Sequence, residues 1–415
     1  MTPDLEGLLT SWLDGRFKGY PQDAPALTVR EASARGWRLL AGELGLPALV
    51  IRQDALDHNR AFMRAFLASH DAAFCPHGKT TLAPQLFARQ VADGAWGLTV
   101  ATAQQARVAV DHGFTRLTLA SQVVHGPELR WLQALHDGNP EAEVRLLVDS
   151  LEGLARIESL PGDRPFPVLL EWGIAGARAG VRSLEEALAL ARALAASPRV
   201  ALRGVECFEA LGGSVEGVDA CLLRLRELAE RVREEGLLAP GEAWITAGGS
   251  AFFDRVASLL GGLGAPYRLV LRSGCYLTHD AGLYGGFVRE LEARTGLRDT
   301  LRPALELWAQ VLSQPEPGLA ILNVGKRDLP HDAGLPIPTG RAELGDTSPQ
   351  PVEGWSLGTL YDQHVQLRTP PGQAPRPGTL VRLAPSHPCT AFDKWPLVWL
   401  VDPSYRVVEA MRTCF

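Results

Sequence analysis

Ala72-Ala73-Phe74-Cys75-Pro76-His77-Gly78-Lys79-Thr80-Thr81 is the stretch on which the fold turns. A short apolar run ends in a turn containing proline and glycine, and a helix-like segment follows from Leu82, so the lysine lies just past a strand end. A lysine held there and partly desolvated loses proton affinity and becomes a nucleophile for carbonyl compounds. A solvated surface lysine is the plainer alternative, so the surroundings have to decide.

Working outward, short apolar runs alternate with longer amphipathic stretches from about residue 48 to 274, the pattern of repeated strand-helix units around a parallel sheet. Candidate strands are Ala48–Arg52, Ala73–His77, Gly97–Ala101, Leu117–Ser121, Val144–Asp149, Pro167–Glu171, Leu202–Glu206, Trp244–Ala247 and Arg268–Arg272. A closed (β/α)8 barrel needs eight strands and an open doubly wound sheet usually fewer. Ala48–Arg52 is the one to remove, because it follows Gly45-Leu46-Pro47 and can equally pair in a second domain. The expected fold is α/β, a (β/α)8 TIM-type barrel starting at Ala73, with Lys79 at the face where such barrels carry their catalytic groups.

After Leu297 prolines and glycines crowd in, and β-like runs appear at Leu305–Leu312, Ala320–Val324, Gln363–Leu367, Thr379–Leu383 and Leu397–Val401. These predict a mostly antiparallel second domain, with Thr369–Pro377 as a surface loop. The expected division is 1–45 as an extension packing with the second domain, 46–295 as the barrel and 296–415 as the antiparallel β domain.

Hydrophobic residues at 46%, charged residues at 21% and a net charge of −6 describe an ordinary globular chain with no general basic field for nucleic acid or an anionic membrane. A small-molecule partner is expected. Six cysteines without framework spacing suggest a reducing compartment, and with no signal-like N-terminus or bilayer-length apolar run the expected location is cytoplasmic.

Two strand ends carry the next signal: Ala247 runs into Gly248-Gly249-Ser250, and Arg272 into Ser273-Gly274. Exposed backbone N–H groups beside small side chains favour a phosphate. On the strand count these are ends seven and eight, where (β/α)8 barrels frequently hold phosphate, and strand eight adjoins strand one in a closed ring. A lysine adduct with an aldehyde, anchored by phosphate, is the binding mode of pyridoxal phosphate.

His77-Gly78-Lys79-Thr80, Ala247-Gly248-Gly249-Ser250 and Ser386-His387-Pro388-Cys389 together resemble the fold-type III pyridoxal-phosphate enzymes of the D-serine dehydratase and D-threonine aldolase group, distant relatives of alanine racemase. The resemblance runs from about Leu46 to Lys394 and includes Gly325-Lys326-Arg327-Asp328 and Asp362-Gln363-His364. It implies that Lys79 is the Schiff-base lysine and the catalytic base. It also implies cofactor-binding roles for His77, Gly248, Gly249, Ser250, Ser273, Gly274 and Tyr276. Arg178 looks like the family arginine beside the cofactor ring, with a loop salt bridge as its alternative. Phe208 stands where relatives often carry tyrosine, which leaves the group facing the pyridine nitrogen unassigned.

His387-x-Cys389 is the second informative feature. Imidazole and thiolate are ligands zinc prefers, and extended residues two apart can point toward one ion. In the family this position carries His-x-Cys in dehydratases and His-x-Asp in aldolases, so Cys389 leans toward zinc, or another divalent cation, and dehydration. His364 is a candidate neighbour of the metal, with a plain loop histidine as the preferred alternative, and Tyr276, His279 and Asp280 are candidates to line the mouth.

The resemblance therefore implies a pyridoxal-phosphate- and zinc-dependent carbon-nitrogen lyase acting on a D-β-hydroxy amino acid. D-serine is the first expectation, giving pyruvate and ammonia. The alternatives are a metal-dependent D-threonine aldolase or a D-threo-3-hydroxyaspartate dehydratase, and more remotely an amino acid racemase or a non-catalytic pyridoxal-phosphate-binding protein. A homodimer is implied as well.

Overall fold

The computed structural model describes residues 2–162 and 164–415. Eight parallel strands form one sheet: β1 (Ala73–Phe74), β2 (Leu98–Val100), β3 (Arg116–Leu119), β4 (Glu143–Val148), β5 (Phe166–Trp172), β6 (Val200–Cys207), β7 (Ala243–Ala247) and β8 (Tyr267–Leu271). Their order is β1-β8-β7-β6-β5-β4-β3-β2. The two ends of that order meet: Trp96 N donates to Phe74 O and Thr99 N to Pro76 O, each at 2.8 Å, so the sheet curls into a closed ring. Pro76 has no N–H and cuts β1 short, yet Cys75 N and His77 N still donate to Leu271 O and Arg272 O at 2.9 and 3.1 Å. The backbone before Lys79 is thereby tied to the end of β8.

Both faces of these strands are covered, which explains why β5 reads Phe-Pro-Val-Leu-Leu-Glu-Trp with every residue buried. Where strands turn into helices, Thr102, Ser150, Ser183 and Ser214 cap Ala103–Asp111, Leu151–Glu158, Leu184–Ala196 and Val215–Glu234 by accepting from a backbone N–H of the first turn. Each such cap contributes about 1 kcal/mol. Beneath, the Arg145 guanidinium lies 3.5 Å from the Trp244 ring centre and 4.9 Å from that of Trp96, closing the floor with stacked cation and rings.

A second, mostly antiparallel sheet has ten strands. Ala48–Arg52 lies in it, antiparallel to Leu305–Glu316 and parallel to Leu397–Val401, so the ninth candidate strand indeed does not belong to the barrel. Leu319–Leu322, Val365–Arg368 and Leu380–Ala384 match the expected runs. Ile337–Ala342, Gln350–Pro351 and Ser356–Leu360 were not foreseen, because Pro338, Gly340, Pro351 and Gly358 look like turn punctuation, and Val407–Arg412 was not foreseen either. Thr369–Pro377 is loop. Trp37 packs edge-on against Tyr20 and Trp399 at 5.6 and 5.7 Å, and Trp399 Nε1 donates to Gly19 O at 3.0 Å.

Internal contacts divide the chain into two compact units. One comprises Met1–Asp4, Arg64–Lys79 and Phe87–Gly274; the other comprises Leu5–Met63, Thr80–Leu86 and Cys275–Phe415. Boundaries at 46 and 295 do not coincide with these units. Ala48–Arg52 pairs with late strands, and the chain enters the second unit directly after Gly274. No described helix is long and apolar enough to cross a membrane.

Candidate active site

In the barrel unit, Lys79 is exposed in the tight turn Gly78–Thr80 that follows β1. Gly78 is required there, since a Cβ would sit 2.8 Å from the Phe87 ring. His77 precedes it, with its Nδ1 buried and unpartnered. Burial first, then the positive charges of Lys79, Arg272 and Arg178, hold the His77 imidazole well below its ordinary pKa. A neutral imidazole among three cations makes a field suited to an anion.

Arg178 is exposed, and its guanidinium lies 4.9 Å from the Phe208 ring centre. Its backbone oxygen accepts from Arg182 Nη2. Phe208, at the position where tyrosine is frequent, offers its ring face to Arg178.

Arg272 directly follows β8, and its role was missed in the sequence. It is buried; its Nη2 donates to Glu206 Oε2 at 2.5 Å and Cys207 O at 3.0 Å, while Nε and Nη1 are buried without partners. Two further carboxyls stand near it. Glu171 is pushed up to about 7 by burial and then by the charge of Glu206, against the hydrogen bond it accepts from Gln122. Glu209 is likewise pushed up to about 7, chiefly by burial.

Glu209 corrects one expectation. Its Oε2 accepts from Gly248 N at 3.1 Å, and a Cβ on Gly249 would lie 1.7 Å from its Oε1, so a carboxyl rather than open space faces both glycines. The turn after β6 carries Glu209 to this place, which strand counting could not reveal. Ser250 Oγ accepts from Gly274 N at 3.2 Å, and Ser273 Oγ donates to Gly249 O at 3.1 Å. A Cβ on Gly274 would meet His77 O at 2.4 Å, so only glycine allows the end of β8 to approach the residues before Lys79. The structure thus gathers Lys79, His77, Arg178, Gly248, Gly249, Ser250, Ser273 and Gly274 in one unit, and the orphaned nitrogens of His77 and Arg272 fit a phosphate-bearing aldehyde. Tyr276 is buried and falls in the other unit.

In that second unit, His387 Nδ1 and Asp332 Oδ2 are 2.6 Å apart, and Thr390 Oγ1 donates to Asp332 Oδ1 at 2.5 Å. A histidine whose Nδ1–H is given to a carboxylate presents its Nε2 lone pair, the arrangement of metal-ligating imidazoles. Asp332 is the partner the sequence reading did not find; His364 lies in an exposed turn. His387-x-Cys389 is not extended, for Pro388 is helical and Cys389 opens the short helix Cys389–Phe392.

Cys389 Sγ is 3.6 Å from Cys275 Sγ, and Thr80 Oγ1 lies 3.5 Å from each. The Cys275 thiol is lowered to about 6, mainly by its hydrogen bond with Cys389 and against burial, with Tyr284 also bonded to it. The Tyr284 ring lies 6.1 Å from that of His387. Burial lowers His279 to about 4 and raises Asp280 to about 7, and Asp280 Oδ1 accepts from Tyr284 N at 3.0 Å. Among the described residues no three His, Cys, Asp or Glu side chains stand as a preformed metal cluster.

The sequence matches the family described as "Alanine racemase, N-terminal domain" over residues 51–258, half of the chain, and "Putative serine dehydratase domain" over residues 304–401. A D-threonine aldolase from Arthrobacter sp is 27% identical over 380 residues, 88% of each chain. A D-threo-3-hydroxyaspartate dehydratase from Delftia sp. (strain HT23) is 27% identical over 377 residues, 85% of this chain and 93% of the relative. The crystal structure of a D-threonine aldolase from Filomicrobium marinum superposes with a TM-score of 0.74 at 23% identity, covering 91% of this chain and 97% of the other.

Proposed function

Because the chain belongs to the fold-type III pyridoxal-phosphate enzymes of the D-serine dehydratase and D-threonine aldolase group, we propose that it is a lyase for D-amino acids bearing a β-hydroxyl, with pyridoxal phosphate on Lys79 and a divalent metal on His387 and Cys389. The observation that carries the metal half is the 2.6 Å bond from His387 Nδ1 to Asp332, with a thiol two residues on. Bound there, the cofactor supplies a sink for the electron pair left at the α-carbon, and the metal supplies a Lewis acid for the β-oxygen.

This chain's own groups do the rest. Lys79 Nζ would be the attachment point for the cofactor, and its free amine would be the group that holds the α-carbon proton. Arg178 and Arg272 supply positive charge for phosphate and ring oxygen, and the low proton affinity of His77 keeps that imidazole neutral beside them. Asp332 holds the His387 ring with Nε2 outward. Glu209, raised to about 7, stands partly protonated near neutrality, which lessens its repulsion of a phosphate at the Gly248 amide.

The substrate expectation shifts from D-serine. The curated relatives reported above are named for D-threonine and D-threo-3-hydroxyaspartate. β-Elimination from D-threo-3-hydroxyaspartate is the first reading, supported by cysteine rather than aspartate at 389; retro-aldol cleavage of D-threonine is the second, supported by the aldolase relative. A single product assay with D-threo-3-hydroxyaspartate, D-threonine and D-serine separates them. Ammonia with a 2-oxo acid is expected, whereas glycine with an aldehyde from every reactive substrate would replace the first reading by the second. The homodimer belongs to the same proposal, and sedimentation reads it directly.

A further inference from the structure

We propose that Cys275 is a third protein ligand of the metal held by His387 and Cys389; this rests on the metal reading above and deepens it. Two sulfurs bound to one tetrahedral zinc at about 2.3 Å each stand roughly 3.8 Å apart. Cys275 Sγ and Cys389 Sγ are 3.6 Å apart, close to that spacing and far beyond the roughly 2 Å of a disulfide. Neither cysteine is in a disulfide. Residues from two separated parts of the chain hold the pair: Thr80 Oγ1 reaches both sulfurs at 3.5 Å, and Tyr284 bonds Cys275 while its ring lies 6.1 Å from that of His387.

His387 supplies the third donor. Its Nδ1 is committed to Asp332, so Nε2 is the atom left for an ion. The imidazole and the two sulfurs do not converge beforehand among the described residues, so binding of the ion has to draw the ring onto the sulfur pair. The resulting set is two thiolates and one imidazole, one of the three-ligand complements used by catalytic zinc, and it keeps a single position open for a substrate oxygen. Two thiolates also neutralise a divalent ion and favour soft zinc over magnesium or manganese. The open position accepts the β-oxygen, and the metal's identity is selected by sulfur.

X-ray absorption on the unaltered, zinc-loaded protein tests this without a mutation. Two sulfur neighbours at about 2.3 Å support the proposal, and one overturns it. Cobalt substitution gives a second readout through the sulfur-to-cobalt charge-transfer band. Cys275→Ser and Cys275→Ala should each keep about half of the wild-type intensity, as Cys389→Ala should, because one of two thiolates remains. Full intensity in both Cys275 variants with loss in Cys389→Ala removes Cys275 from the shell and leaves the His387 and Cys389 site standing. No sulfur band in the wild type removes the metal reading itself, and the proposal with it.

Discussion

Replacing Asp332 by alanine is the perturbation that most directly probes the metal half of the site. The carboxylate makes one 2.6 Å bond to His387 Nδ1 and is itself pinned by Thr390 at 2.5 Å. Removing a carboxylate that orients a ligating histidine typically weakens metal binding 10- to 100-fold. Here the Asp332 side chain is 41% exposed, so water can take over part of the role, and the lower end applies. The expected loss is about tenfold in zinc affinity, about 1.4 kcal/mol. Asp332→Asn keeps an acceptor without the charge and should fall between, and Thr390→Val, which leaves the bond to His387 in place, should do less than either. Competition with a chromophoric chelator at fixed pH measures all three. A zinc affinity for Asp332→Ala equal to wild type would refute the reasoning, because His387 would then need no orienting partner.

Three other outcomes follow from the barrel. Lys79→Ala should lose both the visible absorbance of bound cofactor and product formation, read by spectrophotometric titration; a variant that kept the absorbance would displace Lys79 as attachment point. Gly274→Ala forces a methyl to within 2.4 Å of His77 O, so it should weaken cofactor binding and lower stability by about 1–3 kcal/mol, seen in the same titration and in urea unfolding. Glu171→Gln should change the pH dependence of stability. The wild-type carboxyl, raised from 4.5 to about 7, stays protonated in the fold while the unfolded chain releases its proton, so its relative stability is full below 4.5 and drains away as pH rises to about 7. The variant lacks that loss. In urea unfolding of cofactor-free protein it should match wild type near the bottom of that window and exceed it by roughly 3 kcal/mol above it, and a difference that stays flat with pH would sink the argument.

Much of the barrel was legible because a strand buried on both faces leaves an unmistakable apolar run. Removing Ala48–Arg52 from the count followed from its setting, and its pairing with Leu305–Glu316 gives the physical reason. The later sheet was read less well, since edge and bulged strands such as Ile337–Ala342 tolerate the prolines and glycines that elsewhere signal turns. In the site, Lys79 and His387-x-Cys389 announce themselves by residue type and position. Asp332, Glu209, Arg272 and Cys275 do not, because each acts through a neighbour distant in sequence: Asp332 through His387, Glu209 through Gly248, Arg272 through Glu206, and Cys275 through Cys389. No local spacing encodes such pairs.

The discontinuity of the second unit sets an order on biosynthesis. Residues Arg64–Lys79 and Phe87–Gly274 can close their ring as soon as β8 has left the ribosome, with nothing later required for that sheet. Ala48–Arg52, made long before, must wait for both its neighbours, Leu305–Glu316 and Leu397–Val401. At about 5–20 residues per second the newborn Ala-Leu-Val-Ile-Arg segment waits roughly 13–50 s for the first neighbour and roughly 20–70 s for the second. Until the first arrives it is an apolar strand with two open edges, the kind of segment that holdase chaperones shield.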